Sequence, residues 1–193
     1  LMALDLVASL LASGRYRRVL VTSCDLASRA LDAKDLDTFG LFGDGAAAAV
    51  LEAANENDIE NDIETAGPAL LAARFETWSE AAHACEIPGG GSRLTPDRYP
   101  GDYREVCTFR MDGKRLYRAV ADRFDAFLDA LLDDADLGLD AIDRVIPHQA
   151  SALGMAHMFR RLAVPRERIE DIFAEHGNQV SASLPTALHA ALE

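Results

Sequence analysis

Two polar side chains near the end of the sequence are suited to stabilising negative charge on an oxygen atom. His148 lies in the segment Pro-His-Gln-Ala-Ser, directly after an apolar run typical of a strand, and Asn178 follows Gly177 in a turn-like segment. A neutral imidazole ring and a carboxamide each offer an N–H donor. Because two donors aimed at one point can hold a developing oxyanion, we expect His148 and Asn178 to converge on one cleft.

The elements that would position these residues alternate between helices and strands, which is typical of layered α/β proteins. Residues 1–13 predict a helix that ends at Gly14, and the β-branched run 19–22 predicts a strand buried on both faces. Residues 145–146 predict a short strand that leads to His148.

Further helices are predicted in the second half of the chain. Asp112 predicts the N-cap of one continuous helix with an apolar face. Residues 152–162 predict another helix, and Pro185 is suited to the first turn of the last one. The Gly- and Pro-rich residues 75–102 predict an irregular loop, and the acidic residues 56–64 predict a solvated turn.

The charge balance narrows the classes of partner. Lys and Arg number 19 against 32 Asp and Glu, so the formal net charge is −13. Binding to nucleic acid or to an anionic membrane needs a basic face, and we therefore expect neither partner. The apolar residues 1–11 are too short to span a bilayer. They begin inside a helical pattern without an initiator Met, from which we expect a fragment.

The cysteines indicate a reducing compartment. Cys24, Cys85 and Cys107 are odd in number and form no Cys-x-x-Cys pair. This pattern favours a cytoplasmic protein over a disulfide-stabilised one. Cys24 follows the predicted strand 19–22, where we expect it to be a small buried side chain.

Four short motifs, taken in order, resemble those of the type III β-ketoacyl-acyl-carrier-protein synthases, which are thiolase-like condensing enzymes. They are Gly-Asp-Gly-Ala at 43–46, Met-Asp-Gly at 111–113, Pro-His-Gln-Ala at 147–150, and Gly-Asn with Ser-Ala-Ser-Leu-Pro within 177–185. The resemblance implies an α/β fold with thiolase-like αβαβα layers, here incomplete. Residues 1–110 would hold the end of the N-terminal half and a loop-rich connection, and residues 111–193 the C-terminal half with the His and Asn.

The resemblance also implies a reaction. In this family a Cys accepts an acyl group from acyl-coenzyme A, and the His and Asn activate malonyl-acyl-carrier-protein for decarboxylative Claisen condensation in fatty acid or polyketide-type biosynthesis. His148 and Asn178 match those two residues. The matching Cys would lie about four residues before Leu1, and the three cysteines of the chain do not match it. We therefore expect the chain to be inactive alone, with acyl-CoA, malonyl-acyl-carrier-protein and a second copy as partners of the full-length parent.

Departures from the family pattern keep two alternatives open. Ser151 stands near the pantetheine arm where the family usually has Asn, and Leu153 replaces an Arg that helps to dock the carrier protein. Arg118, Arg160 and Arg161 match other basic docking positions, and we expect them to form one exposed patch. The alternatives are an acyltransferase that acts on oxygen or nitrogen without decarboxylation, and a non-catalytic partner subunit.

No resident cofactor is expected, because coenzyme A would enter only as part of the thioester substrate. Gly43 and Gly45 fit a loose dinucleotide pattern, but no hydrophobic strand precedes them. The remaining histidines show no zinc-ligand spacing.

Overall fold

The computed structural model describes residues 1–53 and 69–193, so the acidic segment 56–64 lies outside the described residues. The predicted alternation of helices and strands is present only in residues 2–52; three strands follow one another up to Met111, and the regular elements described after Met111 are helices. The helices are α1 (Met2–Ala12), α2 (Leu36–Phe39), α3 (Gly113–Ala121), α4 (Phe124–Ala135), α5 (Ala152–Arg161), α6 (Phe173–His176) and α7 (Ser183–Leu192). The strands are β1 (Arg18–Asp25), β2 (Gly45–Glu52), β3 (Cys85–Glu86) and β4 (Arg110–Met111).

The first part of the chain packs α1 against an antiparallel pair of strands. β1 and β2 pair with Leu20 opposite Val50, and α1 is followed by Gly14, whose φ of +70° suits glycine. The prediction of a strand buried on both faces is wrong. Exposure alternates along β1, Leu20 is 63% exposed and Cys24, which was expected to be buried, is exposed. In the described chain this sheet has two strands, and it contacts α1, α7 and the helical turn Val180–Ala182.

The middle of the chain is an irregular loop closed by a short pair of strands. β3 and β4 are antiparallel, with Cys85 opposite Met111. Inside the loop, the hydroxyl of Tyr103 donates to the carbonyl of Leu94 at 2.6 Å and accepts from the N–H of Gly90 at 2.7 Å. These bonds give a Gly- and Pro-rich segment a defined course.

The helix predicted after Asp112 is interrupted. Asp112 caps α3 by accepting the N–H of Arg115 at 3.0 Å, as expected. However, α3 ends at Ala121 and α4 begins at Phe124. At the break, Arg123 donates to the carbonyl of Ala119 at 3.1 Å, and its guanidinium lies 5.1 Å from the ring centroid of Trp78. Arg123 therefore satisfies a carbonyl at the end of α3.

The strand predicted at residues 145–146 is reduced to a single parallel bridge between Val145 and Ile169. The N–H of Val145 donates to Arg168 at 2.7 Å, and its carbonyl accepts from Glu170 at 2.9 Å. Pro147 follows and has no N–H, so it cannot donate the next ladder bond. The chain turns at this point, and the turn carries His148.

A small core lies beneath this region. Met155, Leu162 and Ile169 form its centre, and Phe124 of α4 is among the side chains that pack on it.

Within the described residues, no helix is long and apolar enough to cross a membrane. The predicted boundary at residue 110 stays a prediction.

Candidate active site

His148 lies in the tight turn that follows the Val145 bridge. The N–H of Ala150 donates to the carbonyl of His148 at 2.8 Å, while Pro147 and Gln149 on either side are buried. The residue as a whole is exposed, yet the protein atoms around its ring lower the pKa of His148 through burial. A lowered pKa favours the neutral ring at pH 7, and a neutral ring keeps one N–H to donate.

Asn178 lies in a turn that is hydrogen-bonded to the loop before β2. Its N–H donates to the carbonyl of Leu41 at 2.8 Å, and its carbonyl accepts from Gly43 at 3.1 Å. Gly177, with φ of +63°, sets the direction of the chain into this turn. A segment distant in sequence therefore fixes the backbone of Asn178.

The carboxamide of Asn178 is oriented by one of its own atoms. The side chain is buried, and its Oδ1 accepts from the N–H of Val180 at 2.9 Å. Because Oδ1 faces the N–H of Val180, Nδ2 lies on the opposite side of the carboxamide. It donates to no group in the part of the chain that the structure describes. His148 is exposed, so a ligand can reach its ring. Both predicted donors are thus available to a ligand.

The Gly-Asp-Gly motif is explained by contact with the Asn178 turn. A Cβ at Gly43 would overlap the carbonyl oxygen of His176, and one at Gly45 would lie 2.6 Å from Cδ of Gln179. Between them, the carbonyl of Asp44 accepts from Nε2 of Gln179 at 3.1 Å. The two glycines therefore allow this loop to approach the Asn178 turn closely, and the contact supports the turn.

Several residues of this region carry a role that the sequence pattern did not reveal. Gln179 donates its N–H to Oγ of Ser183 at 2.8 Å. Asp25, at the end of β1, accepts both the N–H and the hydroxyl of Ser181, the former at 3.0 Å. The hydrogen-bond partners of these residues lie on other segments or depend on the turn geometry. The sequence alone therefore indicates only a turn at the Gly-Asn pair.

Ser151 is used as the N-cap of α5. Its Oγ accepts from the N–H of Gly154 at 3.0 Å, which gives the hydroxyl a structural partner. Leu153, in the first turn of the same helix, is 83% exposed. The proposed contact of Ser151 with substrate stays a prediction.

Arg161 departs from the predicted exposed basic patch. Its guanidinium pairs with Asp125 through Nε at 2.8 Å and Nη2 at 2.9 Å, and lies 5.3 Å from the ring centroid of Phe124. Its side chain is only 23% exposed. By contrast, Arg118 and Arg160 are exposed and form no ion pair with a described residue.

A contact between α3 and α5 lies beside the two exposed arginines. The hydroxyl of Tyr117 is 2.7 Å from Nδ1 of His157, and the two rings meet edge to face. Burial, followed by the charges of Arg161 and Arg160, lowers the pKa of His157. Of the three predicted docking arginines, Arg118 and Arg160 are the exposed ones. Across residues 1–53 and 69–193, no cluster of three His, Cys, Asp or Glu could hold a metal ion.

Comparison with known proteins gives this arrangement a family context. The model of the family described as 3-oxoacyl-[acyl-carrier-protein] synthase III matches residues 1–67, and the model of its C-terminal part matches residues 132–193. A β-ketoacyl-[acyl-carrier-protein] synthase III of Erythrobacter litoralis is 35% identical over 192 residues, which are 100% of this chain and 55% of that protein. One of Syntrophomonas wolfei is 31% identical and covers 99% of this chain and 54% of its own length. The chain spans about half the length of the curated relatives it matches.

Solved structures agree with this relationship. A crystal structure of 3-oxoacyl-(acyl carrier protein) synthase III from Pseudomonas aeruginosa has a TM-score of 0.79 at 30% identity, covering 98% of this chain and 53% of that one. The priming β-ketosynthase of the R1128 polyketide pathway has a TM-score of 0.75 at 29% identity, with 98% and 53% covered. The predicted α/β, thiolase-like fold is confirmed.

Proposed function

The chain belongs to the 3-oxoacyl-[acyl-carrier-protein] synthase III family, and on that premise we propose that it supplies the decarboxylation site of a condensing enzyme. The substrates would be an acyl-CoA and malonyl-acyl-carrier-protein, and the product a 3-oxoacyl-acyl-carrier-protein. The nucleophilic Cys of the family would come from sequence outside these 193 residues. We call the protein that contains both parts the complete enzyme.

The proposed reaction has two halves. In the first, the Cys thiolate attacks the acyl-CoA thioester, the acyl group moves to sulfur, and coenzyme A leaves. In the second, the bond between the malonyl carbon and its carboxylate breaks, CO₂ leaves, and the electron pair forms an enolate. The enolate carbon attacks the acyl-Cys carbonyl, and collapse of the tetrahedral intermediate releases the Cys. Over both halves, one proton is taken up for each CO₂ released.

His148 and Asn178 act in the second half. The enolate oxygen carries the developing charge, and two neutral donors can hold it without being consumed. The orientation of the Asn178 carboxamide carries the proposal, because Val180 engages Oδ1 and leaves Nδ2 free to donate. The lowered pKa of His148 supports a neutral ring with the same role.

The partners follow from the same chemistry. A carrier protein and coenzyme A are both anionic, and a chain of net charge −13 repels them at long range. Arg118 and Arg160 offer an exposed positive surface to such a partner. We further propose that the complete enzyme is a cytoplasmic homodimer that takes coenzyme A only as substrate and holds no resident cofactor.

The experiment is a stoichiometric assay of the complete enzyme with acyl-CoA and malonyl-acyl-carrier-protein. Release of one CO₂ and one coenzyme A for each 3-oxoacyl product is expected. Acyl transfer to an alcohol or amine acceptor without CO₂ would contradict condensation and favour the acyltransferase alternative. Absence of any acyl-Cys intermediate by mass spectrometry would favour the non-catalytic partner subunit.

A further inference from the structure

Gln149 is a polar side chain with no exposure to solvent, next to the candidate catalytic histidine. Its relative exposure is 0%. Burial of a carboxamide is unfavourable unless its polar atoms are hydrogen-bonded. Both of its polar atoms have partners: Nε2 donates to the carbonyls of Pro147 at 2.9 Å and Glu170 at 3.2 Å, and Oε1 accepts from the N–H of Ile172 at 3.1 Å. All three partners are backbone groups.

These bonds join the two segments that lead to the candidate donors. Pro147 precedes His148, so a bond to its carbonyl fixes the peptide plane from which His148 begins. Ile172 is the N-cap of α6. That helix ends at His176, and Gly177 and Asn178 follow it directly. One side chain therefore connects the backbone before the imidazole with the backbone before the carboxamide.

The Val145 bridge alone does not connect the His148 turn to the segment that leads to Asn178. It ends before Pro147, and Pro147 cannot extend it for want of an N–H. On the opposite side, the Asn178 turn is fixed to Leu41 and Gly43 rather than to the His148 turn. Gln149 supplies the hydrogen bonds from the His148 turn to residues 170–172.

We infer that Gln149 is a positioning residue that sets the separation of His148 and Asn178 for a shared oxyanion. This inference rests on the proposed function. Two donors stabilise an oxyanion only when both lie about 2.7–3.1 Å from it. A relaxed link between the two segments lengthens one of these distances and weakens stabilisation of the transition state more than binding of the substrate.

The sharpest variant is Gln149→Met, which keeps the length and approximate volume of the side chain and removes its hydrogen bonds. The control is Val106→Ala, which removes volume from a buried side chain in the loop before β4 and shares none of the bonds of Gln149. All variants are compared below their melting temperatures, at equal concentrations of folded complete enzyme.

In Gln149→Met the turnover number for malonyl-thioester decarboxylation should fall by about 10-fold to 100-fold, as expected for a misplaced group. The Michaelis constant and the rate of acyl loading on the Cys should stay within about twofold, and Val106→Ala should leave all three unchanged. Equal losses of decarboxylation and loading, or unchanged decarboxylation, would overturn the inference.

A second measurement does not depend on activity. Crystal structures of the wild type and Gln149→Met should differ by more than about 0.5 Å in the separation of the His148 ring and Asn178 Nδ2, whereas Val106→Ala keeps it. An unchanged separation in Gln149→Met overturns the inference. Should the wild type not decarboxylate malonyl thioesters, the proposed function fails, and the separation alone decides the role of Gln149.

Discussion

Arg161 holds Asp125 through two parallel hydrogen bonds, Nε to Oδ1 at 2.8 Å and Nη2 to Oδ2 at 2.9 Å. The pair links the end of α5 to the start of α4. Its neighbour Arg160 is exposed and forms no ion pair with the described residues. Two adjacent arginines therefore have different surroundings, and Arg161 has a structural partner among the described residues that Arg160 lacks.

Arg161→Ala should lower the stability of the folded protein more than Arg160→Ala. The first removes a two-point hydrogen bond to Asp125 and a guanidinium packed on Phe124. The second removes an exposed charge. Urea unfolding of both variants gives the comparison, and a lower midpoint for Arg160→Ala would contradict it.

Arg160→Glu should weaken use of the carrier protein. A local positive surface steers an acidic partner, so we expect a raised Michaelis constant for malonyl-acyl-carrier-protein in the complete enzyme. The difference from wild type should shrink at high salt, where charges are screened. A small malonyl-thioester mimic is the control, because it has no acidic surface. Equal losses on both substrates would show that Arg160 does not serve docking.

The histidines should make the protein less stable in mild acid. The pKa of His148 and of His157 lies below the ordinary value of 6.5 in the folded chain. Between the folded and unfolded pKa values the unfolded state binds more protons, so stability is lost as the pH falls below about 6.5.

NMR titration in Arg160→Gln should show a raised pKa for His157 and an unchanged pKa for His148. No change at His157 would contradict the charge effect.

Gly43→Ala should destabilise the protein through the Asn178 turn. The added Cβ would overlap the backbone carbonyl of His176, and such overpacking costs about 1–3 kcal/mol. Gly91→Ala is the matched control, because its Cβ would meet nothing within 4 Å. Thermal unfolding should show a clear loss for the first and a change within about 0.5 kcal/mol for the second. Equal effects would remove the special role of Gly43.

The features that the sequence predicts best have local causes. Gly14 ends α1 because a left-handed residue suits glycine, and Asp112 caps α3 because its carboxylate reaches an N–H three residues on. The break before Phe124 was not predicted, since Arg123 contacts Trp78 and the Glu80 side chain, far away in sequence.

In the candidate site, too, some features follow from local sequence patterns and others depend on contacts between distant residues. The residue types and motif context of His148 and Asn178 marked them as donors. The bonds of Gln149 reach residues 21 and 23 positions away, and those of Gln179 reach Asp44 at 135 positions. Such partners depend on the folded chain, and no local pattern predicts them. The sequence alone does not distinguish Arg161 from Arg160, because it does not show that Asp125 lies opposite Arg161.

The central claim is that His148 and Asn178 hold one oxyanion during decarboxylation. The most direct measurement compares single-turnover malonyl decarboxylation with acyl loading in the complete enzyme for His148→Ala and Asn178→Ala. Each variant should lose decarboxylation by about 10²-fold to 10³-fold, as expected for removal of one oxyanion donor, while acyl loading stays within a few-fold. Parallel loss of both steps, or retained decarboxylation in either variant, would contradict the account.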